Sequence, residues 1–118
     1  MFTGIPEITP QALAEKRKTD TEFILLDVRE MWELNLARLD DPRLIVLPLS
    51  RLARERAAAL PQALTTNPTT EVVVVCHHGV RSADVTAWLI NQGYPHVFSL
   101  RGGLDAYAAE VDPRIGVY

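Results

Sequence analysis

Glu71-Val72-Val73-Val74-Val75-Cys76-His77-His78-Gly79-Val80-Arg81-Ser82 is the stretch that decides the fold. Four successive valines, with no polar residue alternating between them, favour a strand buried on both faces. The apolar run stops at Cys76, the one cysteine of the chain. A tight polar loop follows and opens a helix. A thiol at the carboxyl end of a central strand, facing a helix N-terminus, lies where α/β proteins place their chemistry. It also lies where a thiol becomes a thiolate.

Working outward, strand and helix signals alternate, which predicts an α/β fold with a mainly parallel sheet of about five strands. Residues 5–8 read as a short first strand. Thr9-Pro10 reads as an N-cap followed by proline at the first helical position, with a polar helix continuing to about residue 18. A turn at Thr19-Asp20-Thr21 leads into Phe23-Ile24-Leu25-Leu26, a central strand ended by Asp27. Asp27-Val28-Arg29-Glu30 opens a short helix through Trp32 and Leu36, and Asp40-Asp41-Pro42 turns into a strand at 44–47. Leu49, Leu52, Ala53, Ala57 and Leu60 recur at helical spacing, with Arg51, Arg54 and Arg56 on the solvated side. Pro61 ends that helix or starts a new one, and 65–70 is a polar loop. The pattern then predicts a helix over 82–92 with Ala83, Ala87, Leu89 and Ile90 facing the core, Gly93 at C′ and Pro95 just beyond. A last strand covers 97–100. Gly102-Gly103 turns into a short helix holding Ala106 and Tyr107, and 111–118 reads as an extended tail. Trp32 and Trp88 read as core or rim packing, and His96 as a surface residue.

The 118 residues fit one compact domain, 1–118, with one core. Apolar residues make up 47% and charged residues 23%, ordinary for a soluble globular protein. The net charge of −3 comes without a basic stripe, which argues against nucleic acid as a partner. No apolar stretch approaches the roughly 20 residues of a membrane span. Met1-Phe2-Thr3-Gly4-Ile5-Pro6 lacks the charged and apolar regions of a signal peptide. A lone cysteine forms no internal disulfide, so the fold does not depend on an oxidising compartment, and the expected location is the cytoplasm.

If the chain turns at Cys76 into a helix, backbone N–H groups from about His77 to Ser82 can converge on one point. Such a nest binds anions, and the helix dipole adds partial positive charge there. Gly79 supplies the freedom to turn tightly. Arg81 supplies bidentate donors for an oxyanion. A thiol in this cradle should ionise more readily than a free one. His77 and His78 read either as surface residues or as groups that stabilise the thiolate or shape the pocket rim. Val80 and Ser82 complete the loop. Adjacent Cys, His and His rarely reach one tetrahedral ion, and no second cysteine or spaced histidine pair exists, so no metal is expected. No cofactor is expected either: there is no phosphate loop and no dinucleotide fingerprint. Asp27 and Arg29, past the neighbouring strand, read in two ways. One is a brace for the loop by an ion pair; the other is a helix cap and a surface arginine.

The chain resembles the rhodanese-like domains, specifically single-domain bacterial sulfurtransferases, over nearly its whole length. Three anchors carry the resemblance: LLDVRE at 25–30, VVVVCHHGVRS at 72–82, and Trp88-Leu89 with NQGYPHVFSLRGGLDAY at 91–107. It implies a three-layer α/β/α fold with Cys76 as the sulfur-carrying nucleophile. In the implied reaction Cys76 takes sulfane sulfur from a small anionic donor such as thiosulfate. The resulting persulfide passes the outer sulfur to cyanide, a thiol or a protein acceptor. Related phosphatases of the cell-cycle type carry a longer loop than this chain, where four residues separate Cys76 from Arg81. The loop also lacks the Cys-Gly start and final threonine of the mercaptopyruvate-using branch. Two departures stand out. The segment after Asp-Val-Arg differs from the family's usual His-Ile-Pro-Gly-Ala type, and His77 takes a position often held by arginine.

Three functions compete on these residues: a sulfurtransferase, a sulfur-relay or binding module fed by a partner protein, and phosphatase or arsenate-reductase chemistry. The loop spacing and the single cysteine oppose the third. Retention of Cys76, Gly79 and Arg81 opposes an inactive module. The sequence does not fix the oligomeric state.

Overall fold

A computed structural model describes residues 4–19 and 22–118. The reading of Met1-Phe2-Thr3 and of the turn at Asp20-Thr21 lies outside the described residues. Five parallel strands form the sheet: β1 Glu7–Ile8, β2 Phe23–Asp27, β3 Leu44–Val46, β4 Glu71–Val75 and β5 Val97–Leu100. Their spatial order is β1-β5-β4-β2-β3, so β4 is central. β2 runs beside it in register, Asp27 opposite Val75.

The valine run behaves as its composition requires. Val72 and Val74 join Ile24, Leu26 and Cys76 in the core on one face. Val73 and Val75 join Phe23 and Leu25 in the core on the other. Side chains alternate across a strand, so a strand with helices on both sides needs apolar residues at every position. The first face is covered by α2 Leu49–Glu55, α3 Gln62–Thr65 and α4 Val80–Asn91 through Leu52, Leu64, Val85 and Leu89. The second is covered by α1 Pro10–Thr19 and α5 Gly103–Glu110 through Leu13, Leu104 and Tyr107. The result is a three-layer α/β/α fold. At the head of α1, Thr9 Oγ1 accepts the N–H of Ala12 at 3.1 Å, as the Thr-Pro signal requires.

Four expectations need correction. The helix expected from Leu49 to Leu60 breaks after Glu55, where Arg56 takes a φ of +57° and a 3-10 turn follows. The break carries Ala59 inward and leaves Ala57 exposed. The 82–92 helix starts earlier, at Val80, behind Gly79 at φ +94°. Its inward face is Ser82, Val85, Thr86 and Leu89 rather than Ala83, Ala87 and Ile90. Ser82 is drawn in by polar partners, and Thr86, one turn on, follows it. Trp32 is 65% exposed, while Trp88 packs on the core. The tail is not simply extended. A 3-10 turn at Pro113–Ile115, capped by Asp112, directs the chain past Arg38, and Tyr118 reaches the carboxyl end of the sheet.

Candidate active site

Cys76 follows β4 directly and is 1% exposed. The loop after it folds back on the sulfur. The N–H of Gly79 donates to Sγ at 3.1 Å and the N–H of Ser82 at 3.3 Å. Ser82 Oγ lies 3.4 Å from Sγ. Of the N–H groups expected to converge from His77 to Ser82, these two reach the sulfur. The turn needs Gly79: its positive φ strains any L side chain, and an added Cβ would press on the Gly102 N–H and Leu100 carbonyl. Val80 is 70% exposed at the loop's outer edge.

α5 supports the loop from below. The N–H groups of Leu104 and Asp105 donate to the carbonyls of Cys76 and His77 at 2.8 and 3.0 Å. This approach is possible because Gly103 has no side chain; a Cβ there would collide with the His77 carbonyl. The Gly102-Gly103 pair, a weak signal on its own, sets this contact.

Arg81 does not lie free for an oxyanion. Its Nη1 and Nη2 donate to the two Glu33 oxygens at 2.7 and 2.8 Å. Glu33 comes from the 3-10 turn Met31–Asn35 and also accepts from the Tyr118 hydroxyl at 2.8 Å and the Glu30 N–H at 2.9 Å. The Arg81 hydrogen bonds outweigh burial, and the Glu30 and Tyr118 donors add to them. Together they hold the Glu33 carboxyl down at about 2. The same pairing raises Arg81 further above its usual value.

Of the two readings of Asp27 and Arg29, the geometry takes the brace. Both are fully buried. Arg29 Nε and Nη2 donate to the Asp27 carboxylate at 3.0 and 2.8 Å, and Nη1 reaches the Tyr118 hydroxyl at 3.1 Å and the Glu33 carbonyl at 3.3 Å. The capping element is present too: Asp27 accepts the Arg29 N–H at 3.1 Å. Asp27–Arg29 therefore ties the end of β2 to the turn and tail that hold Arg81. Neither residue hydrogen-bonds to Sγ, whose partners are Gly79 and Ser82.

His77 lies between two rings, with the His78 centroid at 3.8 Å and the Tyr118 centroid at 3.7 Å. His78 is exposed, with Nδ1 3.8 Å from Asp105. His77, His78 and Asp105 each bring one ligand-type atom within 4.8 Å of the others. The two imidazoles are stacked face to face, with planes 24° apart, rather than turned edge-on toward a shared ion.

Glu33, Tyr118 and Ser99, whose Oγ lies 2.7 Å from Ser82 Oγ, belong to this site and are not singled out by the sequence. Glu33 stands four residues after Arg29, a spacing that brings side chains together only if a helical turn forms there. Ser99 was legible in principle, as a polar residue on the inward alternate of a buried strand. Nothing local marks Tyr118.

The fold and the site together define a parallel α/β domain that presents a buried cysteine to a turn whose Gly79 and Ser82 N–H groups point at its sulfur. A model of the rhodanese-like domain matches residues 9–110. The chloroplastic rhodanese-like/PpiC domain-containing protein 12 of Arabidopsis thaliana is 38% identical over 98 residues, covering 82% of this chain and 31% of that protein. A sulfurtransferase of Allochromatium vinosum is 28% identical over 109 residues, covering 88% of this chain and 89% of its own. A rhodanese-related protein of Thermoplasma volcanium superposes with a TM-score of 0.71 at 28% identity, covering 90% of this chain and 93% of its own. The chain spans between a quarter and a third of the length of the first curated relatives it matches. The chain belongs to the rhodanese-like domain family. That membership supports sulfur transfer in general. Among the described residues, no helix is long and apolar enough to cross a membrane.

Proposed function

We propose that Cys76 accepts sulfane sulfur from a small anionic donor such as thiosulfate and delivers it to cyanide, a thiol or a protein thiol acceptor. The observation that carries this reading is the pair of N–H groups, from Gly79 and Ser82, aimed at Sγ. The Cys76 thiolate attacks the outer sulfur of thiosulfate. An S–S bond forms to Sγ, the donor's S–S bond breaks, and the electron pair leaves with sulfite. The acceptor then attacks the outer persulfide sulfur, and the pair from that bond returns to Cys76 as thiolate. Both bonds exchange without an external oxidant.

The fixed N–H donors offer Sγ the same hydrogen bonds before loading and after it, since neither a thiolate nor a persulfide inner sulfur carries a proton. Preorganised donors of this kind stabilise charge as it moves. Arg81, with Glu33 on two of its N–H groups, serves mainly to hold the loop and offers its remaining edge to the donor. These 118 residues hold one cysteine, so no second thiol among them takes the sulfur.

Incubation of reduced protein with thiosulfate should add one sulfur atom by intact mass, and cyanide should remove it. Cys76→Ser should abolish the adduct while the protein stays folded. A folded, reduced wild type that gains no mass would sink the reading for this donor. Loading from a protein persulfide, without turnover on free thiosulfate, would make the chain a relay.

A further inference from the structure

Behind Cys76 runs a line of buried hydroxyls that the sulfur-transfer steps do not account for. Ser82 Oγ is 3.4 Å from Sγ, and Ser99 Oγ is 2.7 Å from Ser82 Oγ. Both serines are fully buried. Ser82 stands on the first turn of α4, and Ser99 stands on β5, on the same side of that strand as Val97. Among the described residues, Ser99 Oγ has no hydrogen-bond partner other than Ser82.

A proton count shows which state this line suits. Sγ, Ser82 and Ser99 make two contacts in series. With Cys76 as a thiol the line carries three protons, and one is left without an acceptor in a buried place, which is unfavourable. With a thiolate it carries two protons for two contacts. A persulfide gives the same count, because its inner sulfur bears no proton. The direction follows as well. The Ser99 hydroxyl can donate only to Ser82, so the Ser82 proton is left for Sγ.

We propose that Ser99 is a positioning residue for sulfur transfer, acting through Ser82 to aim that hydroxyl at Sγ as a third donor beside the two backbone N–H groups. The inference rests on Cys76 being the sulfur-carrying nucleophile. Without Ser99, Ser82 has another option: a serine in a helix readily turns its hydroxyl back to a carbonyl of the preceding turn. Sγ then loses a charge-assisted hydrogen bond. The charged and titratable groups around Cys76 are Arg81 with Glu33, His77 and His78 in the loop, Asp105 on α5, Asp27 with Arg29 beyond β2, and Tyr118 from the tail. None of them hydrogen-bonds to the Ser99 side chain. A change at Ser99 therefore leaves them in place.

The test is the rate of Cys76 alkylation by iodoacetamide, a neutral reagent, across pH. It compares the wild type with Ser99→Ala, Ser82→Ala and the double variant. Ser99→Ala should slow alkylation about tenfold in mildly acidic solution, the scale of one hydrogen bond to a charged group. The loss should vanish in strongly alkaline solution, where excess base does the work of the hydrogen bond. In the Ser82→Ala background the further change at Ser99 should have no effect, because the two act in series. Ser99→Thr, which keeps a hydroxyl, should stay near wild type, and Ser99→Val, of the same shape without one, should follow Ser99→Ala. That pair decides the matter if the alanine variant does not fold. A Ser99→Ala or Ser99→Val profile that overlays the wild type overturns the proposal, and so does a Ser99 effect that persists undiminished without Ser82. Alkylation needs no sulfur donor, so failure to load from thiosulfate overturns the functional reading separately.

Discussion

Glu33→Gln removes a charge from a site built to hold one. The Glu33 side chain is 4% exposed, and its two oxygens accept from Arg81 twice, from Tyr118 and from the Glu30 backbone. Those donors bring its carboxyl from 4.5 down to about 2. At about 1.4 kcal/mol per unit, the folded state favours the carboxylate by about 3 kcal/mol. Arg81, 31% exposed, regains some hydration on losing its partner. The expected cost at pH 7 is then about 2 kcal/mol, or about 8 °C in Tm for a domain of this size. The pH dependence has a definite sign. A carboxyl held low in the folded state contributes fully above its unfolded value of 4.5, and that contribution is lost as the pH falls toward about 2. Thermal unfolding followed by circular dichroism from pH 7 to pH 2 reads both quantities. The gap between wild type and Glu33→Gln should be widest at neutral pH and close below 4.5. Asp41 and Asp112, also held below their usual values, titrate in both proteins and cancel. A gap that does not change with pH, or one under about 2 °C at pH 7, would refute the reasoning.

Two further substitutions test the supports of the loop. Gly103→Ala places a Cβ against the His77 carbonyl at a backbone φ of +64°; it should cost about 2–4 kcal/mol in denaturant unfolding and slow sulfur loading of the fraction that stays folded. Unchanged stability would mean that α5 does not press on the loop. Tyr118→Phe keeps the stack on His77 but removes the hydroxyl shared by Arg29 and Glu33. It should cost about 1 kcal/mol by the same measurement, and Tyr118→Ala more. Equal costs would place the whole effect in the hydroxyl.

The strands were legible because their signal is local. Val72 to Val75 and Phe23 to Leu26 are apolar at every position, and no other placement in a small domain satisfies that. The cap at Thr9-Pro10 and the stop at Gly93 were legible for the same reason. The turn after Cys76 was legible from the loop itself, since a glycine with a left-handed backbone and a helix start use the same few residues. What could not be read depends on distant partners. Ser82 turned the inward face of α4 away from Ala83 and Ile90 because Sγ and Ser99 lie on that side. Arg81 read as a free anion binder because Glu33, 48 residues away, gives no sign of pairing with it. Arg56 gave no local warning of its left-handed backbone. The path of 111–118 depends on contacts with Arg38, Glu33 and His77, none of which is near in sequence.

The central claim is that one sulfur atom travels through Cys76. Thiosulfate labelled with heavy sulfur at its outer atom alone follows that atom directly. After loading, peptide mass mapping should find one heavy sulfur on the peptide holding Cys76 and none in the released sulfite. After cyanide, the label should move to thiocyanate and the peptide should return to its starting mass. Heavy sulfur in the sulfite, or an unlabelled Cys76 peptide from folded and reduced protein, would contradict the account.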